Sequence, residues 1–261
     1  MNLKLSFNQV KTLQKCKENP SRFLKFCTIL GPSGDQEFKP FRWQKKVLKS
    51  FKETAFDPKA KRGHVLIAPR QSGKTTLIAA YALWYALFHN DRNVCLMARK
   101  WAHANEILQR VKEIYRKLPE YMRLDTKLDR KEIMQFTNNS RIFSCSVNSA
   151  MLHGLHGRTV DLFVIDEAAY IDDYDFEELM MCILPVMMSR KDAQTIFLST
   201  PQKKETTFYK LYENALNEKN SFVPHRVKWN CRPEHTKEWL ESMKKNFTKD
   251  QFRCEILGEF I

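Results

Sequence analysis

Apolar positions along the chain fall into two periods, and the changes between them mark its elements. HVLIAP (64–69) is a short continuous apolar run with β-branched members, the pattern of a strand buried on both faces. NVCLMAR (93–99), VDLFVIDEAAY (160–170) and AQTIFLST (193–200) repeat that pattern, and FVPHRVKW (222–229) predicts a further strand. TTLIAAYALWYALFH (75–89) is apolar on nearly all sides, so it reads as a helix covered on more than one face. WAHANEILQRVKEIYRKL (101–118) is amphipathic at helical spacing, and FRWQKKVLKSFKE (41–53) carries Phe41, Val47, Leu48 and Phe51 at an acceptable helical interval. EIMQF and RIFSCSV, within 132–147, flank TNNS and predict a hairpin turning at Asn138-Asn139. Residues 1–30 read as helical, with Phe23, Leu24 and Phe26 packing inward, and LGPSGDQEFKP (30–40) reads as a loop. A helix from about Thr206 and short helices near 235–257 complete the chain. Strands alternating with helices predict an α/β fold: a mostly parallel sheet with helices on both faces. The division expected is a basic, mainly helical extension over 1–40 and one α/β domain over 41–261.

Charge adds a partner class to this picture. The 261 residues hold 44 Lys/Arg against 30 Asp/Glu, a net +14, which points to a polyanion, most often nucleic acid. Residues 1–62 carry 15 Lys/Arg and 5 Asp/Glu, so +10 of the excess precedes residue 63. That concentration reads either as a contact surface or as a solvated basic face. The seven cysteines are scattered and never form a CxxC pair, which excludes a zinc ribbon or disulfide framework and suits reduced thiols. MNLKLSFNQVK lacks the apolar core of a signal peptide. Leu77 to Phe88 is too short to span a bilayer, so a soluble protein is expected, without a membrane partner.

The candidate chemistry lies where the first buried strand ends. APRQSGKTT (68–76) joins a strand to a helix, the setting of a phosphate-binding loop. The backbone of Gln71, Ser72 and Gly73, the helix start at Thr76 and the Lys74 charge suit a chain of phosphates, and the Thr75 hydroxyl suits Mg2+. Ala68 stands where such loops usually begin with glycine, which is tolerable at negative φ. In LFVIDEAAY, Asp166 and Glu167 follow a core strand, so both lie at the sheet edge where ligands bind. Asp166 is the acidic partner of Thr75 at the metal, and Glu167 the group to polarise an attacking water, which indicates hydrolysis of ATP. Ser199 and Thr200, in TIFLSTP, reach the same edge, placed to sense the γ-phosphate. Gln44, in FKPFRWQ, carries an amide able to donate to and accept from adenine, with Phe41 or Trp43 as the ring to pack on the base.

Taken together, FRWQKKVL, APRQSGKTT, GLHGRTVDLFVIDEAAYI, TIFLSTP and DQFRCEILGEFI resemble the ATPase domain of the large terminase subunit, the motor that packs DNA into tailed-phage and herpesvirus-type capsids. The resemblance spans about Phe38 to Phe260. It implies a P-loop NTPase fold, Mg-dependent ATP hydrolysis and translocation of double-stranded DNA. Its implied partners are a portal and procapsid, a small terminase subunit and further copies of the chain in a ring, all in the host cytoplasm. It places phosphate and metal on Lys74 and Thr75, the metal and hydrolytic roles on Asp166 and Glu167, coupling on Ser199-Thr200-Pro201, and adenine on Gln44. Arg70 matches a catalytic arginine acting within its own subunit. Where many relatives carry Arg-Gly before the acidic box, this chain has His156-Gly157, with Arg158 next as the rival catalytic arginine. The sequence stops at Ile261 without a surplus acidic cluster, so no nuclease activity is expected of it. A superfamily-2 helicase or another DNA-remodelling ATPase shares most of these motifs and is the alternative, although few residues follow 201 to hold its second motor domain.

Overall fold

The structure, a computed structural model, describes residues 5–31, 34–148, 159–190 and 192–261. Strands β1 (Thr28–Gly31) and β2 (Gly34–Glu37) form an antiparallel hairpin. The other strands are β3 (Gly63–Ile67), β4 (Asn93–Ala98), β5 (Thr126–Arg130), β6 (Ile133–Phe136), β7 (Arg141–Ser146), β8 (Leu162–Ile165), β9 (Gln194–Ser199) and β10 (Phe222–Arg226). They form one eight-stranded sheet in the order β10-β3-β9-β8-β4-β7-β6-β5. The pairs from β10 through to β7 are parallel, and β6 and β5 extend that edge antiparallel. The sheet is mostly parallel, as the sequence predicts, and β6–β7 is the expected hairpin, with Asn139 in the left-handed region at φ 66°.

Two apolar layers hold the sheet. Successive residues of a strand point to opposite faces, and the register divides them cleanly. Leu66, Leu96, Val164 and Leu198 face one core with Val47, Leu48 and Phe51, and Val65, Met97, Ile165 and Phe197 face the other. The first face carries α1 (Phe7–Glu18), α2 (Pro20–Phe23), α3 (Arg42–Ala55), α4 (Lys74–Phe88) and α5 (Trp101–Arg116). The second carries α6 (Asp173–Ser189) and α7 (Thr207–Leu216), and α8 (Lys237–Asn246) follows β10. Helix α4 is apolar all round because it is enclosed: every residue from Leu77 to Leu87 is buried between the sheet and the N-terminal segment. Trp84 Nε1 donates to the Cys16 carbonyl at 2.8 Å, and Tyr81 donates to Gln194 Oε1 at 2.8 Å.

Three features depart from the sequence reading. The stretch read as a loop over 30–40 contains the β1–β2 hairpin, so the first forty residues are not wholly helical. Cys16, Phe23, Leu24, Cys27 and Phe38 also join the core that holds α4, so residue 40 separates stretches of sequence rather than cores. Strand β5 and helix α6 have no counterpart in the sequence reading; α6 contains Pro185 and packs Phe176, Leu179 and Ile183 on the sheet.

The sheet edge remote from the loops is clamped by charge. The fully buried Asp161, one residue before β8, accepts from the Asn93 backbone N–H at 2.7 Å and pairs with Arg92 at 3.1 Å and Arg190 at 2.5 Å. Near β10, His64 shares hydrogen bonds with Thr54 Oγ1 at 2.7 Å and with His225 at 3.0 Å. Burial holds both histidines below the usual imidazole range, His225 at about 4, and so keeps them neutral.

Candidate nucleotide site

Three adjacent parallel strands build the site. β9 lies between β3 and β8, with Ile67 opposite Ser199 and Ile165 opposite Phe197, so all three end at one edge. The loop after β3 and the acids after β8 therefore meet across the end of β9. Gln71 and Gly73 hold positive φ, 57° and 87°, curling the loop so that α4 begins at Lys74. A Cβ at Gly73 would come within 3.1 Å of Gln44 Nε2 in a left-handed conformation, which reserves the position for glycine. The Ala68 N–H donates to the Ser199 carbonyl at 3.1 Å, so the unusual first residue continues the ladder of β3. The Ser72 hydroxyl is buried with no partner among the described residues. A phosphate oxygen at the loop would supply the acceptor it lacks.

The phosphate and metal candidates lie together at this edge. Lys74 Nζ donates to Thr200 Oγ1 at 3.3 Å, and the Thr75 hydroxyl donates to Asp166 Oδ2 at 3.0 Å. Burial pushes the Asp166 carboxyl above its ordinary value, opposed by the Lys74 charge. Glu167 stands at φ 56°, in the left-handed region, with its N–H donating to Asp166 Oδ1 at 2.8 Å. A non-glycine residue held there costs of order 1 kcal/mol or more, which marks it as constrained by its surroundings. Its carboxylate is met at 2.5 Å by Nδ1 of His103, near the start of α5. Ser199 and Thr200 divide their tasks: Thr200 meets Lys74, whereas the Ser199 hydroxyl accepts from the Ala169 N–H at 3.1 Å and braces the turn after the acids. The oxygen set of Thr75 and Asp166 fits Mg2+, a hard ion usually held by a few protein oxygens plus phosphates. Among the described residues no group of three or more His, Cys, Asp or Glu gathers into an all-protein metal cage.

Beside the loop, a cavity of about 880 Å³ is lined by Phe41, Gln44, Gly73, Thr76, Arg110 and Arg232, among others. Gln44 is buried: its Oε1 accepts from the Phe41 N–H at 2.8 Å and its Nε2 donates to the Gly73 carbonyl at 3.1 Å. It ties α3 to the loop at the cavity wall. Trp43 does not line the cavity but packs against the core; of the two rings offered by the sequence, Phe41 stands at the wall, with Phe38 beside it. The reason is helical spacing: Trp43 and Val47 share the inward face, whereas Phe41 caps the helix.

Several contacts had no local signal in the sequence. Arg232, near the end of the chain, places its guanidinium 5.5 Å from the Phe41 ring centre and donates to the Gln71 carbonyl at 3.1 Å. Arg70 is 66% exposed at its side chain, yet it is held at Glu255: its N–H donates to the Glu255 carbonyl at 2.8 Å and its Nε lies 3.0 Å from the carboxylate. Tyr170 donates to the same carboxylate at 3.2 Å, and Gln202 donates to Tyr170 at 2.8 Å. A chain of contacts thus runs from the loop through the C-terminal segment and the acidic turn to the end of β9. Arg158, the rival arginine, lies outside the described residues.

A buried parallel sheet with a phosphate loop, a strand-end Asp-Glu pair and an intervening strand carrying small hydroxyls defines a P-loop NTPase. The family model of the large terminase subunit, T4-like type, N-terminal part, matches residues 65–261, and the chain belongs to that family. This match leaves the helicase-like alternative without support. The fold is similar to that of the large terminase ATPase domain of Thermus phage P74-26, with a TM-score of 0.65 and 22% identity, over 86% of this chain and 95% of that one. It is similar also to the large terminase of bacteriophage HK97 (TM-score 0.75, 16% identity, 94% of this chain) and to that of another thermophilic bacteriophage (0.68, 17%, 85%). The chain spans about half of each of those two, 55% and 54%. Among the described residues no helix is long and apolar enough to cross a membrane.

Proposed function

We propose that the chain hydrolyses ATP with Mg2+ and uses the cycle to drive double-stranded DNA into a viral procapsid. The observation that carries this reading is the Thr75–Asp166 hydrogen bond beside Lys74 and Glu167, at the edge where β3, β9 and β8 end together. The family match supports it, and the last of the three large terminases above has been seen in complex with ADP and with ATP-γ-S. Bound with ATP, Mg2+ supplies charge neutralisation across the outer phosphates. Loop N–H groups and the start of α4 bind those phosphates, and Lys74 leaves Thr200 to meet the γ-phosphoryl group. Glu167 orients the attacking water and accepts its proton, and Arg70 leaves Glu255 to stabilise the charge that develops. Phe41 and the Gln44 wall receive the adenine. Loss of the γ-phosphate returns Lys74 to Thr200, and the end of β9 carries that change to Ser199 and the acidic turn.

On the same reading the motor works as a homo-oligomeric ring with a portal, a procapsid and a small terminase subunit, in the host cytoplasm. The decisive measurement is phosphate release from ATP by the purified chain, with and without duplex DNA. Turnover abolished by EDTA and by Lys74→Ala is expected. Turnover that persists unchanged in Lys74→Ala would remove the loop from the mechanism and the reading with it.

A further inference from the structure

The cation excess ahead of residue 63 is not spread evenly over the surface. Arg42, Lys45, Lys46, Lys49 and Lys52 are all exposed on α3. At 100° per residue their spacing confines them to about one third of the helix circumference. The opposite face, Val47, Leu48 and Phe51, is buried in the core. Glu53 is the one carboxylate on α3, and among the described residues it pairs with Lys49 alone, at 3.6 Å.

We propose that the outer face of α3 is the surface that contacts the sugar-phosphate backbone of duplex DNA. The proposal rests on the reading of the chain as a DNA-translocating ATPase, and it names the surface where that reading leaves the DNA unplaced. From Arg42 to Lys52 the stripe is about 15 Å long at 1.5 Å per residue. One strand of B-form DNA presents about four phosphates over that length, at about 3.4 Å per phosphate. The side chains are long, exposed and almost free of competing acids, which suits contacts made and broken without regard to base sequence. The helix also links the two substrates. Its first turn carries Gln44, whose amide bonds both the Phe41 N–H and the Gly73 carbonyl, so a load on the stripe reaches the phosphate loop through one rigid element.

The test is the double variant Lys45→Glu, Lys52→Glu, whose side chains have no ion pair among the described residues and lie outside the nucleotide cavity. Lys244→Glu, Lys245→Glu on α8 is a control of equal charge change. Binding of a fluorescent 30-base-pair duplex is followed across a salt series, with circular dichroism to verify folding and DNA-free phosphate release to verify the nucleotide site. The α3 variant is expected to bind at least ~10-fold more weakly at low salt and to lose about two from the slope of log K against log salt, at ~0.9 per phosphate contact. It is expected to retain DNA-free ATP turnover, while the α8 control binds nearly as the parent does. Equal affinity and slope in a folded α3 variant, or an equal loss in the α8 control, overturns the proposal. So does a variant that binds duplex normally and fails only with procapsids, which would make the stripe a protein-docking face. The two readings fail separately: a parent chain without ATP turnover sinks the ATPase, whereas the duplex titration alone decides the surface.

Discussion

Glu167 shows how much one position holds in this site. Its backbone is in the left-handed region, its N–H is given to Asp166, and its carboxylate is met by His103. Glu167→Gln keeps the shape and removes the base, so ATP turnover is expected to fall about 10²–10³-fold. Binding of a fluorescent nucleotide should stay within a few-fold, and unchanged turnover would end the assignment. Arg70→Ala tests the arginine held at Glu255: turnover should fall about 10³-fold with folding and ADP affinity retained, the size of effect such arginines produce. Arg232→Ala removes the cation from the Phe41 ring and the donor from the Gln71 carbonyl. Nucleotide affinity should weaken about 3- to 10-fold, more in KM than in kcat, as read by titration and steady-state rates. Gln71 to Thr76 and Asp166-Glu167 were legible in the sequence because each set sits on one turn between a strand and a helix. His103 and Arg232 were not, since they reach the site by folding from distant positions and carry no pattern of their own; Glu255 sits in the DQFRCEILGEFI stretch, but its place beside Arg70 is set by folding. The ring at the cavity was legible only as a choice, because the side of a capping residue is settled by tertiary packing.

At the scale of elements, periodicity identified what was buried and missed what was stabilised by other means. Strands β3, β4, β8 and β9 were readable because both faces are covered, which leaves unbroken apolar runs. The β1–β2 hairpin is mostly polar and bounded by glycines, so its residues carry the marks of a loop. Helix α6 was hidden by Pro185 and by a continuous stretch of methionines and leucines, although Asp172 caps it by accepting from the Asp175 N–H at 3.0 Å. The Asp161 clamp offers a test at this level. Asp161→Ala removes the acceptor of the Asn93 N–H and one of the two carboxylates that Arg92 and Arg190 share, leaving them Asp192. About 1–3 kcal/mol of stability should be lost, read as a lower urea midpoint with the m-value unchanged. Retained stability would mean that the clamp is dispensable to β8.

For the whole molecule, the two buried histidines make stability depend on pH. Both have folded pKa values below the unfolded value near 6.5, so the unfolded chain binds more protons. Their contribution is full above about pH 6.5 and is lost as pH falls toward 4. About 1–2 kcal/mol should disappear at His225 between pH 7 and pH 5, and His225→Gln should flatten that part of the profile in urea titrations.

The place of β9 between β3 and β8 has a consequence for the order of synthesis. β3 and the mostly apolar α4 leave the ribosome well before the parallel neighbours of β3, which are β9 and β10. β9 follows about 130 residues later, on the order of ten seconds at typical elongation rates. Until then the most apolar helix of the chain has no finished sheet to lie on. Nascent chains stopped before Gln194 should therefore aggregate or recruit chaperones, whereas chains released after Ile261 should not.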